Sequence, residues 1–151
     1  MADALRARAL ALLARREMSR FELRRKLEPL AQSAAELDLL LDSLTHSNLQ
    51  SDKRFTDSLV HRRAARFGAS RIAAELDNKG VAPELTADAV RVLRADEEAR
   101  ALDVWRRKFA SPARSAAERA KQGRFLMSRG FSADVVHRVV GGKAGADEDG
   151  E

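Results

Sequence analysis

The sequence has no cysteine and few glycine, proline or aromatic residues. Its 151 residues include 8 Gly, 3 Pro and no Tyr, and aromatic residues make up 5%. The lack of cysteine excludes a disulfide framework, a thiolate zinc site and a cysteine nucleophile. No series of short alternating apolar segments separated by turn residues is present, so a β-sandwich or barrel is not indicated. An all-α chain is the simplest prediction.

Long apolar runs are also missing. No uninterrupted hydrophobic stretch approaches the ~18 to 20 residues that a membrane-spanning helix requires. Residues 1–8 enter a charged amphipathic pattern directly, without the apolar segment of a signal peptide. We therefore expect a soluble, cytoplasmic protein that contacts no membrane.

Charged residues are abundant, and the excess of basic over acidic residues lies outside the C-terminal segment. The net charge is +5, but residues 141–151 carry one lysine and four acids, which leaves +8 on residues 1–140. Of the 28 basic residues, 22 are arginine, whose planar guanidinium suits carboxylate and phosphate partners. This balance is consistent with nucleic acid or with an acidic protein surface as partner, and does not choose between them. The segment 141–151 is predicted to be a disordered acidic tail.

Three Ser-x-x-Glu sequences, at Ser19, Ser33 and Ser115, predict helix starts. In such a capping box the serine oxygen and the glutamate carboxylate accept hydrogen bonds from backbone amides that a helix start otherwise leaves unpaired. Together with glycines at the expected stops and apolar residues at helical spacing, they predict nine short helices. The predicted helices span residues 3–17, 20–30, 34–46, 52–67, 70–79, 83–95, 97–109, 115–128 and 133–140.

The nine predicted helices divide into three groups of three. Apolar pairs four residues apart recur in matching helices, as Leu85 and Ala89 do in the third helix of the second group. Leu27, Leu76 and Leu126 mark the middle helix of each group. Their separations are 49 and 50 residues, a period typical of stacked repeats. We predict tandem three-helix repeats in an elongated, curved array, with one compact nine-helix globule as the alternative. The predicted repeats span about residues 3–48, 49–96 and 97–140.

The sequence shows no catalytic or metal-ligand constellation. His46, His61 and His137 lie far apart and lack the short spacing of metal ligands. The acidic run at 96–98 coincides with a predicted helix start, where carboxylates favour the helix dipole. Trp105 continues an apolar stripe and is predicted to pack in the core rather than to stack on a base. We expect no enzymatic activity, no cofactor, no metal and no small-molecule substrate.

Four segments in order resemble the RecX family of recombination regulators. They are REMSRFEL at 16–23 with Leu27, LQSDKRF at 49–55, RFGASRI at 66–72 with KGV at 79–81, and FLMSRGFS at 125–132. Their order and intervals make the match specific, and it covers about residues 4–140. The resemblance implies a protein that binds the RecA filament on single-stranded DNA and modulates, most often inhibits, its ATPase, strand-exchange and coprotease activities. We expect it to act as a monomer.

Arginines that avoid the predicted apolar stripes are the candidate contact residues. Six are favoured because they recur in corresponding parts of the first two repeats: Arg20, Arg24, Arg25, Arg62, Arg63 and Arg66. They are predicted to form a basic strip that binds RecA or DNA phosphate, although a single arginine more often serves an ion pair or a solvated face.

A stand-alone DNA-binding protein is the alternative function. A three-helix unit whose second helix opens with Ser-x-x-Glu-Leu also resembles a helix-turn-helix. The third helices open with acidic residues, at Glu36 and Asp38 and again at Glu84. These acids argue against the reading of bases, and an enzyme is a distant third possibility.

Overall fold

The computed structural model describes residues 2–143, which are helical and contain no β-strand. The all-α class and all nine predicted helices are confirmed. A 3-10 turn at Glu28–Leu30 follows α2, and a π-helical turn at Val139–Lys143 follows α9. This turn includes residues 141–143, for which the prediction of disorder is wrong; the rest of the predicted tail, with its four acids, lies outside the described residues. The helices are α1 (Ala2–Arg15), α2 (Arg20–Leu27), α3 (Ala34–His46), α4 (Asp52–Arg63), α5 (Ala69–Asn78), α6 (Pro83–Ala95), α7 (Glu97–Lys108), α8 (Ala116–Ser128) and α9 (Ala133–Arg138).

The largest differences from the predicted limits are at α2 and α4, which end at Leu27 and Arg63 instead of at residues 30 and 67. Helix α2 ends at Leu27 because Pro29 has no backbone N–H for a further α-helical turn. Helix α4 ends at Arg63, and the amides of Arg66 and Phe67 both donate to the Arg63 carbonyl at 3.0 Å in the turn that follows. Arg66 therefore lies in a turn rather than on a helix surface.

Serine side chains cap the helices at the predicted starts. Ser19 Oγ accepts from the Glu22 amide at 3.1 Å, and the Glu22 carboxylate accepts from the Ser19 amide, which completes the capping box. Ser33 and Ser115 also accept from the amide three residues on, at 3.1 Å in each case. Their glutamates instead accept from the amide that precedes the serine. The predicted boxes therefore cap α2, α3 and α8, in two variants.

The described residues belong to two compact units, which differ from the sequence repeats. The first unit consists of Met1–Leu59 and Leu76–Thr86, and the second of Val60–Glu75 and Ala87–Glu151. Helices α4, α5 and α6 each contribute residues to both. The exact repeat limits and the elongated, curved shape stay predictions.

Each unit has its own apolar core. In the first unit, α1, α2 and α3 bury a leucine-rich cluster that includes Leu23, Leu27 and Leu44, each 0% exposed. In the second unit, α7, α8 and α9 bury Trp105, whose indole Nε1 donates to Gln122 Oε1 at 3.0 Å. The predicted core role of Trp105 is confirmed.

One predicted apolar pair is wrong. The spacing of α6 favoured Leu85 and Ala89 as its buried face, yet both are only half-buried. Thr86 and Leu93 are the buried residues of α6, at 8% and 3% exposure. The buried face of α6 is thus rotated from the position that the hydrophobic pattern indicates.

The two units contain the same kind of junction between successive repeats. In the first, Asp52 Oδ1 accepts from the Arg20 amide at 2.8 Å, and Ser19 Oγ donates to the Lys79 carbonyl at 2.7 Å. The acid at the start of α4 thus caps α2 of the preceding repeat. A buried serine next to that cap ties α2 to the end of α5.

The junction in the second unit uses matching positions. Glu97 Oε1 accepts from the Ala69 amide at 2.8 Å, and the Gly68 amide donates to the Arg129 carbonyl at 2.8 Å. Glu97 was expected to cap its own helix, α7, but it caps α5 instead, and Asp96 at the start of α7 makes no side-chain cap. The recurrence of this junction supports the prediction of tandem three-helix repeats.

Candidate functional site

The candidate arginines of the first unit lie on α2, and two of the three are neutralised. Arg20 pairs with Asp42 of α3 at 2.7 Å, and Arg24 pairs with Asp38 of the same helix. Arg25 is exposed, and its guanidinium lies 5.8 Å from the centroid of the Phe21 ring. Arg20 and Arg24 therefore hold α2 to α3, whereas Arg25 keeps its charge available.

The candidate arginines of the second unit differ from one another in the same way. Arg63 pairs with Glu75 at 3.0 Å, and the hydrogen bond and charge of Glu75 raise the pKa of the Arg63 guanidinium. Arg62 and Arg66 are exposed, and neither forms an ion pair with an acid among residues 2–143. Arg62 and Arg66 are the arginines of this group with charge to offer a partner.

The two groups of arginines do not occupy corresponding positions, which corrects the reason for choosing them. Arg20, Arg24 and Arg25 lie on α2, the second helix of a repeat. Arg62 and Arg63 end α4, the first helix of the next repeat, and Arg66 lies in the turn after it. The contact role of all six residues stays a prediction.

A basic pocket in the second unit was not predicted from the sequence. It has a volume of about 390 Å³ and lies where α7 and α8 end, beside the turn that follows α4. Its lining joins one of the six candidates, Arg66, to three cations that sequence reasoning left out. The lining residues are Arg66, Val104, Arg107, Lys108, Phe125 and Arg129. The basic end of α7 and the Arg129-Gly130 turn are the signals that could have indicated it.

Aromatic rings hold most of these cations in place. Lys108 Nζ lies 5.4 Å and Arg129 Cζ 5.0 Å from the centroid of the Phe125 ring. Arg66 Cζ lies 5.4 Å and Arg129 Cζ 5.7 Å from the centroid of Phe67, a ring that is 8% exposed. Cation–π attraction of this kind orients a charged head without neutralising it. The pocket thus presents charges that are fixed but uncompensated.

None of the described residues that line the pocket is acidic. Within the part of the chain that the structure describes, Arg66, Lys108 and Arg129 have no ion pair, and Arg107 donates to the Ala65 carbonyl. The chemistry that this arrangement supports is the binding of an anion. Over the same residues, no group of three or more His, Asp and Glu side chains is placed to hold a metal ion.

None of the helices formed by residues 2–143 combines the length and apolarity needed to cross a bilayer.

Two family models match the chain. The model described as "RecX, second three-helix domain" matches residues 51–90, and that described as "RecX, third three-helix domain" matches residues 96–140. The chain belongs to the RecX family. The resemblance noted in the sequence is thereby confirmed.

Relatives and solved structures agree with this assignment. A protein of Ralstonia pickettii named "Regulatory protein RecX" is 49% identical over 144 residues, which are 95% of this chain and 89% of the relative. A protein of the same name from Herbaspirillum seropedicae is 51% identical over 136 residues, or 90% of this chain and 86% of the relative. The crystal structure of RecX from Lactobacillus salivarius has a TM-score of 0.80 at 20% identity, covers 93% of this chain and 94% of the other, and shows the shared fold.

Proposed function

We propose that this RecX-family protein binds the RecA filament on single-stranded DNA and lowers its ATPase, strand-exchange and coprotease activities. The observation that carries the proposal is the match, over nine-tenths or more of the chain, to relatives named as regulatory proteins. The protein would act in the cytoplasm, in DNA recombination and repair, as a monomer and without catalysis of its own.

The distribution of charge supports a role in binding. Arg25, Arg62 and Arg66 are exposed and have no acid partner among residues 2–143, so they can form ion pairs with a partner without first breaking one. Repeated weak contacts of this kind along a filament add as avidity. Such binding requires no reacting group on this chain.

The direct test adds the protein, at less than one molecule per RecA, to RecA on single-stranded DNA and follows ATP hydrolysis. We expect the rate to fall at substoichiometric ratios, because one bound chain would affect several protomers. An unchanged rate with folded protein would contradict the proposal.

Charge reversal tests the contact residues. Arg25→Glu combined with Arg62→Glu should weaken the effect on RecA, since both guanidinium groups are uncompensated. The matched control is Arg8→Glu with Arg119→Glu, which reverses two other exposed arginines, on α1 and α8. If both double variants lost the effect on RecA equally, the net charge of the protein, rather than Arg25 and Arg62 in particular, would control that effect.

A stand-alone DNA-binding protein is the second candidate, and the acid-free basic pocket is the observation in its favour. Tight, sequence-specific binding to duplex DNA without RecA would support it. The start of α3 argues against it, because the carboxylate of Glu36 is used there to accept from the Gln32 amide.

A further inference from the structure

We propose that the basic pocket of the second unit is a binding site for the phosphate groups of single-stranded nucleic acid, which it recognises by backbone and not by base. Its binding residues are Arg66, Arg107, Lys108 and Arg129. The site deepens the proposed function, because single-stranded DNA is part of the RecA filament. It is nevertheless a property of this chain that needs no RecA.

The charge of the pocket carries the first step. Elsewhere in the described chain several half-buried arginines are neutralised by an acid, as Arg20 is by Asp42 and Arg63 is by Glu75. In the pocket four cations converge and no acid is among the lining residues. Like charges held together repel one another, so a bound anion relieves the repulsion and gains charge-assisted hydrogen bonds. Because residues 2–143 supply no counter-charge in the pocket, it is suited to bind an anionic ligand.

The number of cations identifies the class of anion. One carboxylate is satisfied by a single guanidinium fork, whereas four cations around about 390 Å³ suit an anion with several charged groups in succession. A sugar-phosphate backbone presents such a series. Because Arg66, Arg107 and Lys108 are exposed, a strand can pass across the pocket without having to end inside it.

The aromatic rings explain why the backbone, and not the bases, is recognised. Proteins that stack bases leave an aromatic face open to them. Here Phe125 already faces Lys108 and Arg129, and Phe67 is buried beneath guanidinium groups, with Arg71 Cζ only 4.1 Å from its centroid. The rings therefore position the cations, and the cations face the ligand.

The test is fluorescence anisotropy of labelled oligo(dT), oligo(dA) and oligo(rU) with the full chain, without RecA and over a range of salt concentrations. The wild-type protein should bind all three with similar affinity. Lys108→Gln combined with Arg129→Gln should weaken binding about tenfold at low salt, and each lost phosphate contact should reduce the log–log salt slope by ~0.7. Unchanged affinity and slope would overturn the proposal, as would a strong preference for one base.

The control variant combines Arg119→Gln with Arg124→Gln. These two exposed arginines lie on α8 and line a different pocket, and the double substitution removes the same amount of positive charge. An equal loss in this pair would show a general charge effect and overturn the assignment. Should the first pair fail to fold, as judged by circular dichroism, Arg66→Gln serves in its place, because Arg66 lies in an exposed turn.

Competition separates nucleic acid from other anions. ATP, inorganic pyrophosphate and an oligo-glutamate peptide are added to the complex with oligo(dT). Displacement only at millimolar concentrations supports a nucleic-acid strand as the ligand. Displacement of the DNA at micromolar concentrations by any of the three overturns it. The RecA ATPase assay tests the proposed function separately, so a failure of one can be told from a failure of the other.

Discussion

Arg54 and Arg100 both lie near the start of a helix, α4 and α7 respectively, but their surroundings differ. The side chain of Arg100 is 11% exposed and donates to the carbonyls of Ala64, Phe67 and Leu93 at 2.7 to 2.9 Å. The side chain of Arg54 is 37% exposed and binds Glu17 and the Asn48 carbonyl. An arginine thus forms buried hydrogen bonds at one junction, and a more exposed set of contacts at the other.

Alanine at these two positions should therefore have unequal costs. Arg100→Ala leaves three carbonyls without their donor and should lower the free energy of unfolding by about 3 kcal/mol. Arg54→Ala leaves partners that water can reach, so it should lower the free energy of unfolding by only about 1 kcal/mol. Urea denaturation of both variants at pH 7 measures the difference, and equal costs would contradict it.

Glu22 links the stability of the fold to pH, because its pKa is lowered by the contacts it makes in the folded protein. Its carboxylate lies 2.5 Å from Arg16 Nη2 and 3.3 Å from Lys79 Nζ. Burial alone would raise the pKa of Glu22, but the hydrogen bond and charge of Arg16, reinforced by Lys79, outweigh it and lower the pKa. The ionised carboxylate therefore stabilises the fold above its unfolded pKa, and this contribution is lost as the pH falls through the lowered folded value.

Glu22→Gln should reproduce that loss at neutral pH. We expect the free energy of unfolding to fall by about 1 to 3 kcal/mol at pH 7, because a charge-assisted hydrogen bond becomes a neutral one. The difference from wild type should narrow as the pH drops below about 4. Denaturation series at several pH values test this, with the exposed Glu84→Gln as control. If the difference in free energy of unfolding between wild type and Glu22→Gln stayed the same at low pH, the altered shape of the side chain, and not the loss of its charge, would explain the destabilisation.

At the scale of the helix, glycines end α5 and α8 in a conformation that other residues rarely adopt. Gly80 has φ +72° and Gly130 has φ +90°. A Cβ added to Gly80 would lie 2.6 Å from Phe21 Cβ, and one added to Gly130 would lie 2.7 Å from the Arg71 amide nitrogen. These glycines allow left-handed helix ends and close packing at both junctions.

Alanine substitution should therefore have opposite effects at different glycines. Gly80→Ala and Gly130→Ala should each destabilise the protein by about 2 kcal/mol, through left-handed strain and steric overlap. Gly123→Ala should stabilise it by about 0.5 to 1 kcal/mol, because Gly123 lies inside α8 and the added Cβ would lie 3.6 Å from Val136 Cγ1, an ordinary van der Waals contact. Thermal melts provide the measurement, and a loss at Gly123 equal to that at Gly130 would contradict it.

The helices were predictable because their signals are local. A cap such as Ser19 with Glu22 depends on residues three apart, so the start of α2 could be found without knowledge of the fold. The role of Glu97 could not be predicted in this way, because its carboxylate accepts a hydrogen bond from the amide of Ala69, 28 positions away in the sequence. The basic pocket was missed for the same reason, because it joins the ends of α7 and α8 to Arg66.

At the scale of the whole molecule, repetition and charge are separate properties of the chain. The junctions repeat: an acid from one repeat caps a helix of the preceding repeat, as Asp52 does for α2 and Glu97 does for α5. The unpaired cations of the basic pocket have no such repeat, since Arg16 after α1 and Lys79 after α5, which stand 50 residues before Arg66 and Arg129, both pair with Glu22. A repeated scaffold therefore supports a binding surface that is specific to one part of it.

The charge of the whole chain leads to a last prediction, on the rate of association. Serine in place of the four acids at Asp147, Glu148, Asp149 and Glu151 raises the net charge from +5 to +9. Long-range attraction to single-stranded DNA should then increase, so the association rate constant should rise about two- to fivefold at low salt. Stopped-flow anisotropy measures it, with Ala144→Ser and Ala146→Ser as a tail control of unchanged charge. Because salt screens such attraction over about 8 to 10 Å at 0.1 to 0.15 M, the gain should disappear in high salt, and a gain that survives there would point to direct competition by the tail instead.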